Sequence, residues 1–162
     1  MLCLMGAGLV VGPTSLAGPD SGAQLEMTRD LAADAASARA ARLPVMLVVT
    51  REDCAYCARL KRQVLSPMLQ SGDYSDSVLM RELVIDPVMP VTDFDGRQTD
   101  SAAIAERLDA TLSPTILLLD PLGRSLEPPI RGISNLEFYG YYLDAAIARA
   151  LAALRAANGK GD

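Results

Sequence analysis

Cys54 and Cys57 are the residues whose type and spacing can do chemistry. A thiolate is a nucleophile toward disulfides. A second Cys three residues on lies one helical turn away, close enough to close a disulfide with the first. The surrounding sequence decides whether such a pair is active. Val45-Met46-Leu47-Val48-Val49-Thr50 before it is apolar and β-branched; Ala58-Arg59-Leu60-Lys61-Arg62-Gln63-Val64-Leu65 after it is helix-like. The pair should therefore sit where a buried strand ends and a helix begins. The first helical turn offers free N–H groups and a positive dipole end, and both favour a thiolate. Arg51 adds to that effect, while Glu52 and Asp53 oppose it. The dipole contributes typically ~0.3–1 kcal/mol. Cys54 is thus the expected attacking thiolate and Cys57 the resolving thiol. A permanent disulfide, or two inert core thiols, is the competing reading, but a helix start exposes and activates its first Cys.

The rest of the composition narrows the field. The 162 residues amount to about one domain, and 50% apolar content supplies a core without metal or disulfide staples. There is no histidine, which removes Ser-His-Asp and Cys-His nucleophile pairs, His-ligated zinc and proximal-His haem. Cys3, Cys54 and Cys57 alone cannot complete a thiolate zinc site, so no metal and no cofactor is expected. Net charge is −5, with no basic stripe and no Trp, which argues against nucleic acid.

Residues 1–18 read as a signal peptide ahead of a domain at 19–162. A short apolar run to Gly12 is followed by Pro13-Thr14-Ser15-Leu16-Ala17, a breaker and small residues. The run is too short to span a bilayer, which takes roughly 20 apolar residues. The expected mature chain is exported, has no stable membrane span, and has lost Cys3.

The elements that must position the cysteines follow in order. Leu25 to Arg42 is Ala-rich, reads as a packing helix, and ends at Leu43-Pro44. Val45–Thr50 is a buried strand. The cysteine helix should stop or kink at Leu65-Ser66-Pro67. Ser77–Asp86 reads as a second strand, and Pro87–Gln98 as a loop with an Asp-Gly turn in Asp93–Arg97. Asp93 and Asp95 lack the rest of a calcium loop. Thr99 or Asp100 caps a helix through Ala110, with Ile104 and Leu108 on one face. Thr115–Asp120 is another buried strand, Asp120–Arg124 a hairpin turn, and Ser125–Gly132 the returning strand, with Pro128-Pro129 marking an edge. Ser134-Asn135-Leu136-Glu137 reads as a capping box opening a last helix to about Ala156. Phe138, Tyr139, Tyr141 and Tyr142 in that helix are expected to serve packing. One mixed sheet flanked by helices fits this order.

The chain resembles the thioredoxin superfamily. The resemblance covers roughly residues 25–156 and rests on landmarks in the right order. These are a strand, then Cys54-Ala55-Tyr56-Cys57, then a helix; Ser113-Pro114-Thr115 directly before a buried strand; and the closing hairpin through Pro121-Leu122-Gly123, then Arg131-Gly132 and a terminal helix. Within the superfamily it is most similar to exported bacterial thioredoxin-related proteins, with Asp86–Asp100 as a short insertion before the proline. The resemblance implies an α/β thioredoxin-like fold and a cis peptide at Pro114, facing the cysteines. It implies a thiol-disulfide oxidoreductase using Cys54 and Cys57, more in keeping with a reductase of the cell envelope. Ser113, Pro114, Thr115 and Tyr56 would then meet a disulfide-containing protein substrate. A membrane or periplasmic thiol partner would reset the pair. Asp53, Ala55 and Tyr56 depart from the Trp, Gly and Pro of cytosolic thioredoxins. Val48 stands where those carry a buried Asp, which leaves Glu52, Asp53 or water to take the second thiol's proton. The rival function is a non-catalytic thioredoxin-fold module for binding or folding assistance, marked by a Cys54 of low reactivity.

Overall fold

The computed structural model describes residues 24–159. The expected signal peptide and Cys3 lie outside them. A four-stranded sheet forms the centre, in the order β2-β1-β5-β6: β1 (Val45–Thr50), β2 (Leu79–Val84), β5 (Thr115–Leu119) and β6 (Ile130–Arg131). β1 runs parallel to β2 and antiparallel to β5, and β5 runs antiparallel to β6. The sheet is therefore mixed. β1 and β5 are buried along their whole length, because helices cover both faces of the central strands.

The side-chain alternation of β1 feeds two separate cores. Met46 and Val48 point toward α2 (Ala55–Leu60), α3 (Ser66–Ser71) and α5 (Tyr139–Asn158), where they pack with Leu60, Met68, Ile116 and Leu143. Leu47 and Val49 point the other way, toward α1 (Leu31–Ala41) and α4 (Ser101–Arg107). There they meet Leu31, Leu83, Ile104 and Leu117.

Several boundaries differ from the sequence expectation, each for a local reason. The first helix begins at Leu31, not Leu25. Asp30 caps it through the Ala33 N–H at 2.9 Å. The residues before it are extended: Met27 pairs with Glu82, and the Thr28 and Glu82 amides bond across at 2.8 Å to Glu82 and Glu26. They cover the open edge of β2, where ladder hydrogen bonds outweigh the helix preference of Leu25, Glu26 and Met27. Thr28 also donates its hydroxyl to Asp34, which is held by Arg81 at 2.6 Å.

The cysteine helix does not stop at Pro67. Its turn widens into a π turn over Lys61–Leu65, with the Ser66 N–H reaching the Lys61 carbonyl, and the chain then continues as α3. Pro67 has no N–H to give, and the wider turn absorbs that loss. The Pro87–Gln98 loop contains the first strand of a hairpin: β3 (Pro90–Thr92) pairs with β4 (Gln98–Asp100) around the expected Asp-Gly turn. Of the expected strand Ser125–Gly132, only Ile130–Arg131 is regular, since Pro128 and Pro129 cannot donate to a ladder. The capping box does not form. Asn135 turns back on the Glu137 N–H at 3.0 Å, and α5 starts at Tyr139 with no side-chain cap. Tyr139 alone of the aromatic group is buried, at 4% exposure; Phe138, Tyr141 and Tyr142 face solvent, which corrects the packing expectation for them.

Gly123 closes the β5–β6 turn at φ +77°, and a Cβ there would stand 2.7 Å from the Phe94 ring. Gly123→Ala should cost about 1–3 kcal/mol in urea unfolding, from the left-handed backbone and the displaced ring together. Gly96→Ala, at φ +84° with open space around it, should lose only the backbone part. Tyr139 supplies a second test. Burial pushes its hydroxyl up to about 12, and no partner receives its proton. A raised folded-state value holds stability below the unfolded value of about 10 and loses it as pH climbs to the folded one. Urea midpoints should fall between pH 10 and 12, and less steeply in Tyr139→Phe. At pH 7 that variant should be no less stable, because it removes an unpaired buried hydroxyl.

Candidate active site

Cys54 is the N-cap of α2, in extended conformation, and its sulfur accepts the Cys57 N–H at 3.1 Å. The two sulfurs are joined as a disulfide. The pair is asymmetric. Cys54 is half-buried and flanked by exposed Asp53, Ala55 and Tyr56, the last at 64% exposure. Cys57 is 1% exposed. The helix geometry produces this difference: the cap residue stands off the end, while the residue one turn in faces the sheet.

The loop bearing Cys54 is fastened from two sides. Glu52 donates its N–H to the Asp86 carbonyl at 2.9 Å, tying it to the end of β2. Arg51 reaches the Thr111 carbonyl at 3.2 Å, tying it to the segment that enters β5. Because β1 and β5 are antiparallel with Val49 opposite Thr115, Pro114 lies at the sheet end from which Cys54 emerges. The Ser113–Pro114 peptide is cis, and the Pro114 carbonyl accepts the Gly132 N–H at 2.8 Å.

The other sequence-selected residues divide. Tyr56 is exposed beside Cys54. Ser113 is half-buried, and its hydroxyl is enclosed without a partner. Thr115 is fully buried between Val49 and Arg131, with its hydroxyl on the Leu112 carbonyl at 2.7 Å. Thr115 therefore pairs within the sheet and locks the loop. Glu52 and Asp53 are exposed. Among the described residues no group of three or more His, Cys, Asp or Glu gathers as a metal site, and no helix is long and apolar enough to cross a membrane.

One feature escaped the sequence reading. Glu82 of β2, directly opposite Val48, is a carboxylate only 5% exposed. It accepts from the Thr50 hydroxyl at 2.6 Å and from Lys61 Nζ of the cysteine helix at 2.8 Å. Its signal was an acid next to Arg81 in a strand whose other residues are apolar, so that one of the two adjacent charges must share a face with Met80 and Val84.

Comparison with known proteins agrees with this architecture. A thioredoxin-like domain family model matches residues 31–147. Among solved structures, a DsbH oxidoreductase superposes with a TM-score of 0.55 at 15% identity, covering 85% of this chain and 95% of that one. A chain from the structural study of thiol resolution in yeast mitochondrial 1-Cys peroxiredoxin by the glutathione/thioredoxin systems superposes at 0.51 and 17% identity. It covers 80% of this chain and 98% of that one. No curated protein sequence matches. A family model spanning most of the chain, a mixed sheet flanked by helices, and a Cys-x-x-C disulfide at a helix start establish that this chain belongs to the thioredoxin-like family.

Proposed function

We propose that the protein is a thiol-disulfide oxidoreductase of the cell envelope that reduces disulfides in protein substrates. The observation that carries this reading is the asymmetry of the pair, an accessible sulfur at a helix N-terminus backed by a buried one a turn away. Reduced Cys54 attacks a substrate disulfide as thiolate and releases one substrate thiol. Cys57 then attacks the Cys54 sulfur, the protein disulfide closes, and the second substrate thiol leaves. Tyr56 and the Ser113–Pro114 segment flank the approach, and Ser113 offers main-chain groups to an extended substrate strand. The envelope location rests on the apolar leader pattern before Gly18. A second thiol-redox protein, in the membrane or periplasm, returns the pair to the dithiol.

The test is the reduction potential of Cys54–Cys57, equilibrated against glutathione. A value near about −270 mV supports a reductant, and one near about −120 mV reverses the direction to an oxidant. A pair that does not titrate removes the enzyme reading and leaves a binding module.

A further inference from the structure

We propose that the cleft walled by Arg39, Arg42 and Arg155 binds a phosphate-type oxyanion, carried by a free phosphate compound or by a phospholipid headgroup, at the end of the molecule opposite Cys54. Arg42 and Leu43 lead into β1, whereas Cys54 follows its far end, so a six-residue strand separates the cleft from the disulfide. At roughly 3.3 Å per residue that is about 20 Å. The cleft measures about 850 Å³ and lies where the ends of α1 and α5 meet the loop before β2. Ser75, Asp76 and Asn158 complete its polar lining.

Charge carries the argument first. The whole chain has a net charge of −5. This cleft nevertheless gathers three guanidinium groups against the single carboxylate of Asp76. Elsewhere Arg81, Arg97, Arg107, Arg124, Arg131 and Arg149 are each held by a carboxylate. Here Arg39 reaches the Pro121 carbonyl at 3.4 Å, while Arg42 and Arg155 have no side-chain partner among the described residues. Like charges gathered without partners repel one another, and an anion seated among them relieves that repulsion. A guanidinium is always charged, and its planar fork of N–H donors matches phosphate oxygens two at a time. A phosphate group has enough oxygens to engage more than one such fork.

Basic residues near a helix C-terminus ordinarily answer the negative end of the helix dipole, and Arg39 and Arg155 stand in the last turns of α1 and α5. That account does not extend to Arg42. The backbone already meets the last carbonyls of α1: the Arg42 N–H donates to Ala38 and Arg39, and the Leu43 N–H to Ala38 at 2.9 Å. In α5 the Gly159 N–H meets the Arg155 carbonyl at 3.0 Å. Arg42 also sits at φ 59°, the left-handed position after a helix where glycine or asparagine is usual. Glycine would suit that backbone better, so what arginine adds there is its charged side chain.

Calorimetric titration of the full chain with inorganic phosphate, at ionic strength held constant with chloride, tests the site directly. Wild-type protein should give a saturating heat. Arg42→Gly and Arg155→Ala should each weaken binding by about tenfold, the scale of one charge-assisted hydrogen bond. Arg42→Gly should unfold at no lower urea concentration than wild type, because glycine takes the left-handed backbone freely, so a lost site is not mistaken for a lost fold. Cosedimentation with vesicles identifies the source of the oxyanion. Pelleting with phosphatidylcholine–phosphatidylglycerol vesicles but not with phosphatidylcholine alone, reduced in both variants, assigns the cleft to a lipid headgroup. Phosphate binding without pelleting assigns it to a free phosphate compound. Absence of both, or binding that neither substitution weakens, overturns the proposal.

Discussion

Cys57→Ser, incubated with a disulfide-bonded protein substrate, should accumulate a covalent adduct through Cys54 that reductant dissolves. Cys54→Ser should accumulate none. The reason is access. Cys54 caps α2 at the surface, whereas Cys57 is enclosed by the sheet and can reach only the sulfur a turn away. Removing the buried thiol leaves the first displacement intact and blocks the second, so the mixed disulfide persists. Catalytic turnover should fall by more than about a thousandfold in both variants, the scale on which losing a member of a nucleophilic pair is felt. Non-reducing electrophoresis and intact mass report the adduct. Trapping by Cys54→Ser instead would reverse the two roles.

The placement of the pair at a helix start was already legible in the sequence, because a β-branched run, two cysteines three apart and a helix-forming run each demand one local structure. The central strands were legible for a similar reason: Val45–Thr50 and Thr115–Leu119 are buried on both faces, so an unbroken apolar run is their only possible signature. What stayed hidden depended on partners distant in the chain. Leu25–Asp30 reads as the start of a helix until the exposed edge of β2 is there to bind it. Ser134–Glu137 carries capping-box residues, yet Asn135 satisfies the Glu137 amide in a tighter turn first. The burial of Glu82 was hidden too, since only the packing of the cysteine helix on the sheet delivers Lys61 to it.

Leu47→Ala should destabilise the protein by about 2–5 kcal/mol while leaving the Cys54–Cys57 potential where it is. Leu47 is fully buried in the central strand, opposite Arg81 on β2 and Leu117 on β5 in register, in the core that it shares with Leu83, α1 and α4. Its loss leaves a cavity among Leu31, Val49 and Ile104 that rigid neighbours on two strands cannot fill. Domains of this kind are stable by only about 5–15 kcal/mol, so the thermal midpoint should drop by about 10 °C. Leu122→Ala, at a position 60% exposed in the β5–β6 turn, should stay within about 0.5 kcal/mol. The redox half of the prediction follows from the pleat. Leu47 faces away from α2, and the helix carrying the cysteines packs on the opposite side through Met46 and Val48. One face of the sheet thus supplies stability that the chemistry does not read, and the other sets the environment of Cys57 and Glu82. A potential shifted by more than about 30 mV in Leu47→Ala, a tenfold change in the redox equilibrium, would show the two faces to be coupled and defeat this division.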